Sequence, residues 1–196
     1  MRRDDQKSLV QALEFALDAH GDQKRKGKDV PYVSHLLQVA GFVLEYGGDV
    51  ELAVAALLHD VVEDCPGIEI DSIRARFGAR VAEVVHNCTD LMEDDTPDHK
   101  SEWRARKESY IAHMREADFD TQLVAMCDKL HNISNVLADL RAHGTATFDK
   151  FSAGAHSQLW YYDSIRLAVS GSLPPALVAE YELHVTKLKE YVAVGS

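Results

Sequence analysis

The stretch AALLHDVVED, residues 55–64, decides how this chain is read. Four apolar residues, Ala55, Ala56, Leu57 and Leu58, run directly into His59 and Asp60, with Glu63 and Asp64 a turn further on. Charged groups are costly to bury unless they are paired or bind a metal. The stretch is therefore either the solvated end of a helix or a site.

Its apolar run belongs to a helix predicted over 50–64, with Asp49 as the capping residue and Pro66-Gly67 as the terminator. On such a helix His59 and Glu63 are one turn apart, as are Asp60 and Asp64, so they form two neighbouring rows on one side. Outward from there the periodicity stays helical. Leu9, Leu13 and Leu17 recur every four residues and predict a helix over 6–20, and a second over 33–46 stops at Gly47-Gly48. Further helices are predicted near 70–76, 79–91, 101–117, 120–142, 147–169 and 174–193. GDQKRKGKDVPY reads as a polar break, and MEDDTPDHKSE, 92–102, as a solvated loop. There is no strand-like alternation longer than four residues and no internal repeat. The expected fold is all-α, a single-domain helical bundle spanning 1–196.

At 196 residues the chain is long enough for one domain with a substantial core. A formal net charge of -11 argues against a nucleic-acid partner, because phosphate binding is driven by basic surface. A small anionic substrate remains compatible where basic residues concentrate, as in KRKGK at 24–28. Cys65, Cys88 and Cys127 show no CxxC spacing, so neither a disulfide framework nor a cysteine zinc site is expected. No apolar run reaches membrane-spanning length, and the opening residues lack the apolar core of a signal peptide. A cytoplasmic protein without a membrane partner is expected, with a homo-oligomer left open.

Adjacent His59 and Asp60 diverge by about 100° on a helix, so a metal shared by them needs ligands from elsewhere. His35 follows PYVS at the start of the second predicted helix, and Asp128 interrupts the otherwise apolar LVAMCDKLHN. An unpaired buried carboxylate there costs several kcal/mol. Two imidazoles and two carboxylates suit a divalent cation with open positions for water and a phosphate oxygen. The residues alone also allow Asp128 to pair with Lys129 or Arg141, and His35 to act as a helix cap.

The order His35, His59-Asp60, Asp128 resembles the HD-domain metal phosphohydrolases. The surrounding strings HGDQKRKGKDVPYVSH, AALLHDVVED, FGARVAEVV and CDKLHN are similar to the hydrolase domain of the RelA/SpoT family and its single-domain alarmone hydrolases. The likeness covers about residues 8–143, leaving 144–196 as a C-terminal helical extension. It implies that His35, His59, Asp60 and Asp128 hold one metal ion, usually manganese. It implies that Glu63 and Asp64 position or activate the attacking water. Arg25 and Lys26 match the pair that meets substrate phosphates, and Asn132 matches a substrate contact. The substrate implied is ppGpp or pppGpp, from which the 3′-pyrophosphate is removed.

The likeness has gaps. One extra residue separates the Arg-Lys pair from Pro31, and the family's G-V-T-K string appears as NCTD, 87–90. A basic residue is replaced by Asp90, and Thr89 is what remains there to bind substrate. No synthetase domain is expected beside the motifs. Trp160, Tyr161 and Tyr162 read either as helix core or, for Tyr161 or Tyr162, as a stacking or phosphate contact beside the nucleotide. Two other functions stay in view: the same chemistry on another nucleotide or NADPH, and a non-catalytic nucleotide-sensing module. Retention of Glu63 and Asp64 speaks against the sensor, which has no need of a water-activating pair.

Overall fold

The computed structural model describes residues 2–90, 102–151, 153–169 and 171–194. These fall into two compact units, one of residues 2–90 with 118–127, the other of residues 102–117 with 128–194. Among the described residues there are helices and no strands, the one extended pairing being an isolated antiparallel bridge between Lys24 and Pro31. The all-α expectation holds.

The first unit contains α1 (Arg3–His20), α2 (Val33–Glu45), α3 (Val50–Leu58), α4 (Val61–Asp64), α5 (Ile70–Phe77) and α6 (Ala79–Cys88). It also takes the opening turns of α8 (Phe119–His143). α3 is its centre. Every residue from Leu52 to Leu58 is buried, the all-round apolar pattern of a helix enclosed by others, and α1, α2 and α6 pack on it. The Asp49 carboxylate accepts the Leu52 N–H at 3.0 Å, so the predicted cap is present. Close packing leads into it: a Cβ on Gly48 would fall 2.5 Å from Val43 Cγ1 and 2.8 Å from the Val43 carbonyl.

Three predicted boundaries need correction. The helix expected over 50–64 is broken at His59-Asp60, and Glu63 and Asp64 lie on the separate short α4. The two rows expected along one continuous helix therefore do not exist. α6 ends at Cys88 rather than 91, with Thr89 extended and its hydroxyl donating back to the Val85 carbonyl. The helix expected over 147–169 is two pieces, a 3₁₀ segment Gly144–Lys150 and α9 (Gly154–Val169), because Phe151 is extended and Gly154 has a positive φ of 68°. Apart from Glu102, the loop expected over 92–102 lies outside the described residues.

The second unit contains α7 (Trp103–Glu116), the remainder of α8, the 3₁₀ segment, α9 and α10 (Pro175–Val194). α9 packs on α7 and α10. Tyr110 and Met114 of α7, Tyr162 and Ile165 of α9, and Tyr181 and Leu188 of α10 supply buried side chains, and the Tyr181 hydroxyl donates to the Tyr162 carbonyl at 3.2 Å. No disulfide joins the three cysteines, all of which are buried. Among the described residues, no helix is long and apolar enough to cross a membrane.

Candidate metal centre

His59 follows the last turn of α3, and its Nδ1 donates to the Ala56 carbonyl at 2.7 Å. A carbonyl only accepts, so Nδ1 carries a proton, and Nε2 is the nitrogen left to face Asp60. That Nε2 lies 3.1 Å from Asp60 Oδ2, and His35 Nε2 lies 3.3 Å from the same oxygen. The rings meet edge-on with centroids 5.1 Å apart, and both are almost completely buried. His35 makes no helix cap; it is enclosed in the first turn of α2. Two imidazole nitrogens and a carboxylate oxygen thus converge within the first unit, a donor set that fits a divalent ion. The far nitrogen of His59 is held by a backbone carbonyl, the kind of outer partner that orients a metal-binding imidazole.

Tyr32 joins the cluster without a signal in the sequence reading. Its hydroxyl donates to Asp60 Oδ2 at 2.6 Å from 28 residues away. Burial pushes the Asp60 carboxyl up, but the charge and hydrogen bonds of His59 and His35 in their protonated form outweigh it and hold the group well below the usual carboxylate range. Asp60 is therefore ionised and able to ligate.

Glu63 and Asp64 have different surroundings. Burial raises the Glu63 carboxyl above its ordinary value, and the negative charges of Asp60, Asp90 and Asp64 add to the rise. The Asp90 N–H, donating to Glu63 Oε2 at 3.1 Å, works in the other direction without reversing it. Asp64 is exposed, and its Oδ2 accepts the Gln23 side-chain amide at 3.0 Å. A raised, half-buried carboxylate suits proton acceptance.

The basic loop is ordered by its own backbone. Arg25 N–H donates to the Val30 carbonyl and Tyr32 N–H to the Gln23 carbonyl, each at 2.9 Å, on either side of the Lys24–Pro31 bridge. The Arg25 guanidinium carbon lies 5.5 Å from the centroid of the Tyr32 ring, whereas Lys26 is exposed. Asp90, which stands where the family's string has a basic residue, is buried, 8% exposed.

In the second unit Asp128 is buried, and both of its oxygens are engaged. Lys129 Nζ lies 2.6 Å from Oδ2, and the Asn132 amide donates to Oδ1 at 2.5 Å. Burial works against the Lys129 ammonium, yet the Asp128 carboxylate holds it well above the usual lysine range. Lys129 also lies over the Tyr110 ring at 4.9 Å. The pairing that the residues left open is therefore with Lys129. Tyr161 is buried, its ring 6.1 Å from Trp103 and 5.8 Å from Tyr162, with Lys107 Nζ 4.8 Å from its centroid. Tyr162 is buried beside it.

Comparison with known proteins gives the arrangement a context. The family profile described as HD domain matches residues 12–153, well over half of the chain. A Synechocystis protein named probable guanosine-3′,5′-bis(diphosphate) 3′-pyrophosphohydrolase is 36% identical over 128 residues, which are 64% of this chain and 16% of that protein. A Danio rerio protein named guanosine-3′,5′-bis(diphosphate) 3′-pyrophosphohydrolase MESH1 is 33% identical over 131 residues, 65% of this chain and 68% of the relative. A solved structure reported as a metazoan ortholog of SpoT that hydrolyzes ppGpp superposes with a TM-score of 0.70 at 22% identity, covering 93% of this chain and 94% of that one. The chain spans about one sixth of the Synechocystis protein and about two thirds of the zebrafish one.

Proposed function

The chain belongs to the HD domain family, and from that premise we propose that it is a manganese-dependent hydrolase removing the 3′-pyrophosphate of ppGpp or pppGpp to leave GDP or GTP. An HD domain implies a divalent metal. The observation that carries the reading is the convergence of His35 Nε2 and His59 Nε2 on Asp60 Oδ2, at 3.3 and 3.1 Å. These three residues are the proposed ligands, and Asp128 is added as the fourth on the sequence pattern. The match of the HD profile across 12–153 supports reading the chain as one such domain.

When bound, the ion supplies an acidified water and neutralises charge on phosphoryl oxygens. The chain's own residues do the rest. Glu63, half-buried and raised, accepts the water's proton, and Asp64, held by Gln23, orients that water. The water oxygen bonds to the phosphorus nearest the ribose as the bond from that phosphorus to the 3′ oxygen breaks; the proton taken by Glu63 is returned to the 3′ oxygen, which leaves as a hydroxyl, and pyrophosphate departs. Arg25, seated on Tyr32, grips two phosphate oxygens, and Lys26 adds a point charge. Thr89, Asn132 and Tyr161 are further proposed substrate contacts. Thr89 and Asn132 share their existing bonds to Val85 and Asp128 in doing so, and Tyr161 turns a ring edge from its aromatic packing.

The test is a product analysis. Purified protein loaded with Mn²⁺ is incubated with ppGpp, pppGpp, NADPH and ordinary nucleoside monophosphates. Pyrophosphate and GDP from ppGpp are expected. Release of phosphate from NADPH alone would move the substrate while keeping the chemistry, and tight ppGpp binding without turnover would make the chain a sensor.

A further inference from the structure

Three side chains outside the proposed ligand set meet beside it in the first unit: His20, Gln23 and Tyr32. His20 ends α1 and is 7% exposed. Its Nδ1 lies 2.6 Å from Gln23 Oε1, and its ring stacks on Tyr32 with centroids 4.7 Å apart and planes 19° from parallel. Each of its two neighbours reaches one carboxylate of the site. Gln23 Nε2 donates to Asp64 Oδ2 at 3.0 Å, and the Tyr32 hydroxyl donates to Asp60 Oδ2 at 2.6 Å.

The hydrogen-bond pattern follows from donor and acceptor chemistry. A carboxylate only accepts, so the Gln23 nitrogen faces Asp64 and its oxygen faces His20. His20 Nδ1 therefore carries a proton. Nε2 is buried and has no hydrogen-bond partner among the described residues, a cost borne by a ring whose other edge and one face are both in use. Cys65, the residue after Asp64, brings its sulfur to 3.5 Å from the same Nδ1.

We infer that His20 is a positioning residue, a single imidazole that aims two donors: its edge sets the Gln23 amide on Asp64, and its stacked face sets the Tyr32 hydroxyl on Asp60. The inference rests on the proposed function and deepens it. The two arms end on different machinery, Asp60 among the ligands and Asp64 in the water-handling pair. A donor fixed on a carboxylate oxygen holds that carboxylate in one orientation, which is how outer partners tune a metal ligand.

The arms separate by substitution. Tyr32→Phe keeps the ring that seats Arg25 and removes only the hydroxyl; Mn²⁺ binding by calorimetry should weaken about tenfold. Gln23→Leu should leave Mn²⁺ affinity within about twofold while kcat for ppGpp falls about tenfold and KM stays unchanged. His20→Leu should show both losses. His20→Asn, whose amide nitrogen reproduces Nδ1, should restore kcat but not Mn²⁺ affinity, and His20→Gln, which reproduces Nε2, should restore neither. Equal behaviour of the Asn and Gln variants, or a folded His20→Leu with wild-type kcat and Mn²⁺ affinity, overturns the inference. Nitrogen-15 NMR of the histidine ring decides it without catalysis: a proton on Nδ1, with its signal shifted in Gln23→Leu, supports the relay, and a proton on Nε2 alone overturns it. A wild-type protein that neither binds Mn²⁺ nor releases pyrophosphate would instead refute the proposed function.

Discussion

His59 Nδ1 donates to the Ala56 carbonyl at 2.7 Å, the acceptor that a continuous helix offers to the amide of Asp60. One hydrogen bond thus serves two ends. It occupies a carbonyl where α3 stops, and it fixes the tautomer that turns Nε2 towards Asp60 and His35. The end of α3 and the orientation of the His59 ring meet at the same carbonyl.

The division between ligands and base is testable on this pair of helices. His59→Ala should abolish binding of Mn²⁺ as measured by metal analysis of the purified protein. Glu63→Ala should retain the metal and lose roughly a hundredfold in kcat, the scale of a missing general base. Equal turnover in Glu63→Ala and wild type would reduce the Glu-Asp pair to a helix end.

Asp90 sets up a second outcome. Because burial first, and then the charges of Asp60 and Asp90, raise Glu63, its carboxylate protonates above the ordinary glutamate value of about 4.3 as the pH falls. With Glu63 in its proposed role as base, activity is present above the raised pKa and lost below it. Asp90→Asn removes one negative charge, lowers the Glu63 pKa and moves the acid limb of the kcat profile to lower pH. Asp90→Lys, which the NCTD string invites as a way to add capture charge, buries an ammonium next to Glu63 instead and should not improve KM.

Capture of a polyanion by a chain of net charge -11 depends on local cations at contact range, since salt screens beyond about 8 Å. Arg25 is half-buried and ordered over Tyr32, whereas Lys26 is exposed. Arg25→Ala should raise KM for ppGpp about tenfold, and Lys26→Ala by a smaller factor, with both differences shrinking at high salt. Steady-state kinetics at two ionic strengths reads this directly.

Arg80 makes a prediction about stability alone. Its guanidinium joins Asp49 at 2.6 Å, Glu51 at 2.9 Å and Asp120 at 2.7 Å, tying the start of α3 to the start of α8 within the first unit. The group is partly exposed, so Arg80→Ala should cost only about 1 kcal/mol, read as a lower denaturation midpoint. Burial opposes ionisation of Asp49, but the Arg80 and Leu52 hydrogen bonds outweigh it and its carboxyl is lowered. Its stabilising contribution is accordingly full above the unfolded value, about 3.9, and disappears as the pH falls through the folded one.

The helices were legible because burial repeats along the chain. Leu9, Leu13 and Leu17 repeat at helical spacing, the Asp49 cap forms as its position implied, and the apolar run 52–58 is buried on all sides. His35, His59 and Asp60 were legible as residues, from the histidine-aspartate pair and its neighbours. The break after Leu58 was not, since propensity favours continuing the helix and only the His59 side chain, competing for a backbone carbonyl, argues otherwise. Nor was the burial of Asp90, whose charge says surface while its N–H is turned to Glu63. Sequence by itself determined the helical class, the histidine and carboxylate residues that meet, and the basic loop. Tertiary structure alone decided which carboxylate is raised and where each one points. Periodicity and capping act over a few residues, whereas the donors on Asp60 and Asp64 arrive from 28 and 41 residues away.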